Sequence, residues 1–286
     1  VVDIACTKAA ACCAVKVDGK VYCWGRASGG QLGDGQPDTN ACSPQEVANV
    51  ADIDKIDGGF MAFHARKASD GTIVSWGKDV GYGEAGLNMR SQQKILPMAA
   101  PTLANVANYY MYERGGIAVL DDGSVYGTGD YSMWGDTDTF AGSAEWSVAT
   151  NLQTLGCVKP VGGIQYNSYC LTATGQVITM GYFGESMLIR GTDYNAACGT
   201  SMMKHYFGPC VARSTTDKTA AGIIDSFDGV VEGHCTNTLC YWLKSDGSIW
   251  MSGDPDYTEM GVRVAAKINP DDCTGSDLCK DGTAMV

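Results

Sequence analysis

One nine-residue phrase constrains this chain more than any other feature. It is first stated as Val17-Asp18-Gly19-Lys20-Val21-Tyr22-Cys23-Trp24-Gly25. The same frame returns with first glycines at Gly19, Gly71, Gly123, Gly175 and Gly247, a β-branched residue two positions later (Val21, Ile73, Val125, Val177, Ile249), and a second glycine six positions later. The steps between first glycines are 52, 52, 52 and 72 residues. Self-similarity at a fixed period marks a repeat architecture, in which each supersecondary unit buries its apolar face against the next.

Four of the five copies place Asp before the first glycine, and Asp-Gly between alternating stretches is a strong hairpin signal, so a type I′ turn is expected there. In the first unit this turn joins candidate strands 13–17 and 20–24, preceded by another at 2–6. A polar, glycine-rich link follows each second glycine, best kept as Gly29-Gly30-Gln31-Leu32-Gly33-Asp34-Gly35 and eroded to Gly81-Tyr82-Gly83-Glu84-Ala85-Gly86 in the second copy. Apolar stretches at 44–50, 101–106, 146–155, 220–224 and 262–268 are expected to supply a fourth strand per unit. The 37 glycines and the many Val, Thr and Tyr positions also favour strands and turns.

A four-stranded unit repeated at this period is the blade of a β-propeller. The expected fold is all-β: one propeller domain over 1–286, built of four-stranded antiparallel blades. Five blades are expected, six or seven only if the chain is incomplete. The frames fall near 1–52, 53–104, 105–156, 157–222 and 223–268. The fourth holds an insertion at about 189–217, and 269–286 forms a disulfide-tied closing tail.

The residues Asp18-Gly19-Lys20-Val21-Tyr22-Cys23-Trp24-Gly25, followed by Gly30-Gln31-Leu32-Gly33, resemble the repeat of the regulator of chromosome condensation family. The second copy keeps Ser75-Trp76-Gly77, whereas Thr128, Met180 and Ser252 stand where the later copies would carry the Trp. The resemblance implies a propeller acting through protein contacts. It brings two further functions into view: nucleotide exchange on a small GTPase, and, from secreted members, inhibition of an enzyme such as β-lactamase by covering its active site.

Charge and cysteines shape that choice. With 32 acidic and 20 basic side chains the net charge is −12, which opposes nucleic-acid binding because phosphates must be neutralised by basic groups. No apolar run approaches the ~18 residues of a membrane span, so no membrane insertion is expected. The chain opens on apolar Val1-Val2, as a mature chain does after a signal peptide is removed. Its 13 cysteines include no CxxC spacing, so disulfides in an oxidising compartment are expected rather than zinc. The localisation expected is secreted. Proximity pairs Cys198 with Cys210, Cys273 with Cys279 and Cys235 with Cys240. Adjacent Cys12 and Cys13 should face opposite sides of a strand and take different partners. The odd count leaves one thiol over.

His64, His205 and His234 form no HxH, HExxH or Cys-His pattern, and no nucleophile elbow or P-loop occurs. The expectation is therefore a non-enzymatic chain with no catalytic residues, no cofactor and no metal. The recurring aspartates read as turn residues. Asp121, Asp122, Asp130, Asp136 and Asp138 read as a solvated acidic loop rather than a calcium site, since their spacing matches neither an EF-hand loop nor the glycine-rich calcium nonapeptide. Trp24 and Trp76 read as core between blades, and burial is also expected for Trp134, Trp146, Trp242, Trp250 and the tyrosines at 109, 110 and 112. The candidate partner-binding residues are Met202, Met203, Lys204, His205, Tyr206 and Phe207, inside the insertion, because long loops in compact repeats tend to carry function. The function expected is an extracellular protein-interaction or structural propeller whose partner is a protein, including itself as a homo-oligomer or filament. A secreted inhibitor or ligand-binding propeller is the alternative.

Overall fold

The structure, a computed structural model, describes residues 1–88, 90–100, 102–130, 134, 142–164, 167–181, 222–223, 227–235, 239–253 and 266–267. Among these, the strands form five four-stranded sheets. Sheet one holds β1 (Asp3–Cys6), β2 (Ala11–Val15), β3 (Val21–Gly25) and β4 (Ala41–Glu46). Sheet two holds β5 (Ile53–Gly58), β6 (Ala62–Lys67), β7 (Ile73–Lys78) and β8 (Gln93–Ala99), and sheet three β9 (Val106–Tyr112), β10 (Gly115–Leu120), β11 (Val125–Asp130) and β12 (Gly142–Val148). Sheet four holds β13 (Cys157–Ile164), β14 (Asn167–Thr172), β15 (Val177–Gly181) and β16 (Gly222–Ile223). Sheet five holds β17 (Val230–Cys235), β18 (Leu239–Lys244), β19 (Ile249–Gly253) and β20 (Ala266–Lys267). Every pairing within a sheet is between neighbours in sequence and antiparallel. One short helix, α1 (Thr150–Thr154), joins sheets three and four.

The Asp-Gly turns are real but of another type. Gly19 has φ of 74°, while Asp18 is absent from the residues with positive φ. Gly19 N–H donates to the Lys16 carbonyl (2.9 Å) and Lys16 N–H to the Lys20 carbonyl (2.9 Å). This is a type I turn closed by a left-handed glycine, the three-residue hairpin, not the two-residue type I′. The aspartate stabilises it from the side: Asp18 Oδ1 accepts from Lys20 N–H (3.2 Å), and Asp70, Asp122 and Asp246 repeat the bond to Thr72, Ser124 and Ser248. Hence the aspartates recur for turn chemistry.

The second glycine is required on steric grounds. A Cβ on Gly25, Gly77 or Gly129 would lie 2.4, 2.3 and 2.1 Å from the carbonyl oxygens of Ala10, Met61 and Arg114, each immediately before the paired strand.

The expected fourth strands need correction. The second unit's outer strand is β8, upstream of 101–106, and the third's is β12, so most of 146–155 becomes a turn and α1. Outer strands lie at a sheet edge: β4 is largely exposed and carries no apolar run, while β8 carries Ile95-Leu96-Pro97-Met98-Ala99, partly exposed along its length and upstream of the expected stretch. The apolar residues Val47, Val50, Leu103 and Leu152 instead fill the links and are buried.

Successive sheets meet along their first strands, β1 on β5, β5 on β9, β9 on β13 and β13 on β17. The apolar clusters straddle these junctions: Val15 and Val21 pack with Ile53 and Ile56, Ile73 with Val106 and Tyr109, Val125 with Cys157 and Ile178, and Val177 with Val230 and Trp242. Side chains of one first strand also bond the backbone of the next. Asp3 Oδ2 accepts from Ile56 N–H (2.8 Å), Asp57 Oδ2 from Met111 N–H (3.0 Å), and Lys159 Nζ donates to the Val231 carbonyl (3.0 Å). The turn glycine takes part as well: its carbonyl accepts from the first strand of the following sheet, Gly19 from Ile53, Gly71 from Val106 and Gly175 from Val230.

Tryptophans 76, 134, 146 and 242 are buried. Trp24, expected in the core, is only partly buried, and so are Trp250 and Tyr110. Trp76 Nε1 donates to the Gln31 carbonyl (2.9 Å), so the glycine-rich link of sheet one clasps the central tryptophan of sheet two.

Disulfides join Cys6 to Cys12, Cys13 to Cys23, Cys157 to Cys170 and Cys235 to Cys240. Cys12 and Cys13 thus take different partners. Among the described residues Cys42 is a free, exposed cysteine on the edge strand β4. No helix of the described residues is long and apolar enough to cross a membrane.

Candidate functional site

The sheets have two ends. One carries the Asp-Gly turns. The opposite end carries the turns between first and second strands and the links between third and fourth strands, and there the turns of three sheets converge. Lys8 N–H donates to the Gly59 carbonyl (3.2 Å) and Ala9 N–H to that of Phe60 (3.0 Å). Gly58 allows this approach, since a Cβ there would sit 2.6 Å from the Cys6 oxygen. Lys8 then reaches sheet three, its Nζ lying 2.7 Å from Glu113 Oε2 and 5.9 Å from the centre of the Phe60 ring. Beside it the Arg114 guanidinium lies 4.5 Å from the Tyr82 ring centre. Phe60, Tyr82, Glu113 and Arg114 are all partly exposed. Aromatic and arginine side chains presented together on a rigid surface are the residue types that dominate protein contacts.

Beneath Tyr82 the second link is wound around two buried carboxylates. Asp79 Oδ1 accepts from Gly81 (2.7 Å), Gly83 (3.3 Å) and Ser91 (3.3 Å) N–H groups. Glu84 accepts from Tyr82 N–H (3.1 Å) and from Val80 N–H. Burial, then the Asp79 charge, pushes the Glu84 carboxyl up to about 7, because a second anion in a desolvated site is unfavourable. In the first link the corresponding residue is the neutral Gln31, whose Oε1 accepts from Gly29 N–H (2.7 Å). The link is held to sheet three by Thr128 Oγ1, which donates to the Gly83 carbonyl (2.9 Å), and by Asn88 N–H, which donates to that of Ala144 (2.7 Å). Along the first strands, Asp57 is raised by burial to about 6 despite Lys55 and two backbone donors, and Lys55 is lowered, also by burial.

At the opposite end a cleft of about 670 Å³ opens between sheets one and two, lined by Lys20, Glu46, Val50, Asp52 and Lys67 among others. Lys20 and Glu46 pair with each other there at 2.8 Å.

Sequence-predicted residues fall as follows. Met202, Met203, Lys204, His205, Tyr206 and Phe207, with Cys198, Cys210, Cys273 and Cys279, lie outside the described residues. The described residues that flank the insertion, Gly181 at the end of β15 and Gly222 at the start of β16, stand at the same end of the sheets as Tyr82 and Arg114. Cys235 and Cys240 are joined. Asp121 and Asp122 are exposed at the head of β11 and Asp130 is buried at its tail, so these three are not one acidic loop; Asp136 and Asp138 lie outside the described residues. His64 is buried with Nδ1 2.8 Å from Ser75 Oγ, and burial depresses it to about 3, leaving the ring neutral. Among the described residues no group of three or more His, Cys, Asp or Glu could hold a metal ion. Sequence reasoning missed the Asp79–Glu84 pair. The available signal was Glu84 standing in the place of Gln31.

Comparison with known proteins bears on this geometry. The regulator of chromosome condensation (RCC1) repeat matches residues 18–59. The chain is 26% identical over 259 residues to the human E3 ubiquitin-protein ligase HERC2, covering 87% of this chain and 5% of that protein. It is 25% identical over 197 residues to the mouse probable E3 ubiquitin-protein ligase HERC4, covering 66% of this chain and 18% of that one. The chain therefore spans only a small part of these relatives. Among solved structures, Prp20p of Saccharomyces cerevisiae superposes with a TM-score of 0.70 at 13% identity, over 91% of this chain and 61% of that one. Human WBSCR16 gives 0.65 at 15% identity, over 96% and 68%. With its glycine frame, five meander sheets and first-strand junctions, the chain has the β-propeller fold of these solved structures and resembles the RCC1 repeat proteins, whose repeat it carries at residues 18–59.

Proposed function

We propose that this chain is an extracellular, non-enzymatic protein-interaction propeller whose partner docks on the end of the stack opposite the Asp-Gly turns, and that self-assembly is one of its modes. The observation that carries the reading is the convergence of three sheets' turns there, which fixes the Phe60–Lys8 and Tyr82–Arg114 pairs on a rigid base. The insertion with Met202 to Phe207 lies in the sequence between Gly181 and Gly222, both at that end, and is the proposed source of further contact residues. Four disulfides support an oxidising, extracellular setting, and the exposed Cys42 supports disulfide-linked association.

Cross-linking mass spectrometry on native material tests the docking end. Links to a partner should concentrate on the lysines and acids around Lys8 and Glu113, and links confined to the Lys20–Lys67 cleft would refute the reading. Non-reducing peptide mapping tests the compartment: fully reduced Cys13 and Cys23 in native material would remove the extracellular assignment. Nucleotide exchange is the second reading, since the solved neighbour Prp20p is described by its binding to Gsp1p and histones. The net charge of −12 disfavours the nucleic-acid side of such a role. Catalysed nucleotide release from a small GTPase would establish it.

A further inference from the structure

Within the chain every junction between sheets buries the same positions. On the trailing side of a junction stands the β-branched residue of the repeat frame, and Val21, Ile73, Val125 and Val177 are all fully buried there. In sheet five the same position, Ile249, is 40% exposed, and its neighbour Leu243 is 39% exposed where the matching Val15, Val119 and Leu171 are buried. The leading side shows the converse at the other terminus. Ile56 and Tyr109 pair across their sheets with Ala65 and Ala118 and are buried, whereas Ile4, which pairs with Ala14, is 58% exposed. Val2 is 54% exposed beside it, where Ile53 and Val106 are buried.

We propose that these two faces are the separated halves of one more inter-sheet junction, and that sheet five of one molecule docks on sheet one of a second copy of this chain, end to end. The occupant follows from the repeat. The surface that covers Val177 in this protein is a sheet presenting Val230, and the surface that covers Ile56 is a sheet presenting Val15 and Val21. Sheet one presents Val2 and Ile4 in the former role and sheet five presents Leu243 and Ile249 in the latter. Repeat arrays are held by nearest-neighbour interfaces, and the exposed apolar residues of sheets one and five occupy the positions that form them. The contact is heterologous, so it propagates unless the rotation closes a ring. The propeller chains on which this one superposes extend beyond it, since it covers 59% and 61% of them. The proposal deepens the self-assembly part of the function above, and it stands apart from the docking end around Tyr82 and from Cys42.

Sedimentation velocity on the full chain in a Cys42→Ser background, which removes disulfide-linked dimers, tests it. The parent should associate reversibly with concentration. Ile4→Glu and Ile249→Glu should each move the midpoint at least about tenfold upward, since either buries an unpaired charge. Their equimolar mixture should form a 1:1 dimer that grows no further, because each retains one intact face. A parent that stays monomeric, variants that associate like the parent, or folded variants whose mixture stays monomeric would each overturn the proposal. Loss of association on Cys42→Ser alone would instead assign assembly to the cysteine and overturn this surface. If either glutamate variant fails to fold by circular dichroism, hydrogen exchange on the parent decides: amides of β1 and β19 must gain protection with concentration, and unchanged protection rejects the contact.

Discussion

Replacing Glu84 by Gln should make the protein more stable, relative to wild type, at neutral and alkaline pH than in acid. Glu84 is almost fully buried beside Asp79, and its carboxyl is raised from 4.5 to about 7 by burial first and the Asp79 charge second. A raised acid binds its proton more tightly in the folded state than in the unfolded one. Stability therefore declines as pH climbs from about 4.5 to about 7 and is level on either side of that window. At about 1.4 kcal/mol per pH unit the total is about 3 kcal/mol. Gln in that place resembles the first link, where Gln31 accepts from Gly29 N–H without a charge, so the charge penalty disappears, while its single Oε1 keeps one of the two N–H bonds that the carboxylate oxygens accept from Val80 and Tyr82, a loss that does not vary with pH. Urea unfolding of wild type and E84Q between pH 4 and 8.5 should give a stability difference that moves by about 3 kcal/mol in favour of the variant from the acid limit to pH 8.5. Asp57, raised to about 6, and His64, depressed to about 3, titrate in both proteins and cancel in the difference. A difference that does not vary with pH, or one that moves against the variant as pH rises, would refute the reasoning.

Other substitutions follow from the junction geometry. Gly71→Ala should cost several times more than Gly123→Ala in thermal unfolding: both have positive φ, but a Cβ at 71 lies 2.4 Å from Val106 N and one at 123 meets nothing within 4 Å, so the latter costs only about 1 kcal/mol. Trp76→Phe should cost about 1–3 kcal/mol by leaving the buried Gln31 carbonyl without its donor, read by chemical denaturation. Replacing both Cys157 and Cys170 by Ala opens a loop with a sequence separation of 13 and should lower stability by about 3 kcal/mol; matched melting of wild type under reducing and oxidising conditions provides the check.

The glycine frame was legible because its requirement is steric and local: no side chain fits at Gly25 or Gly77 against the facing carbonyl. The turn type was not, since Asp-Gly satisfies both hairpins, and only the bond from Lys16 to Lys20 separates them. The outer strand β4 escaped notice because a sheet edge in water need carry no apolar run, whereas β8 holds the apolar 95–99 immediately before the stretch expected to form it. The pairing of Cys12 and Cys13 with different partners followed from strand alternation alone. The Asp79–Glu84 pair depends on how the eroded link coils back on itself, which spacing does not encode. Trp24 fills the same repeat position as Trp76 yet is less buried, a difference set by packing outside its own frame.

The placement of the disulfides has a mechanical consequence. Among the described residues all four join adjacent strands of one sheet, and the bonds that hold sheet to sheet, the turn-glycine carbonyls, first-strand side chains and link contacts among them, are hydrogen bonds. A chain pulled from its ends would therefore part between sheets while the disulfide-closed first hairpins of sheets one, four and five stayed closed. Sheet one, with Cys6–Cys12 and Cys13–Cys23 on both sides of β2, would yield the shortest extension and could serve as the template on which the others re-stack when the load is released.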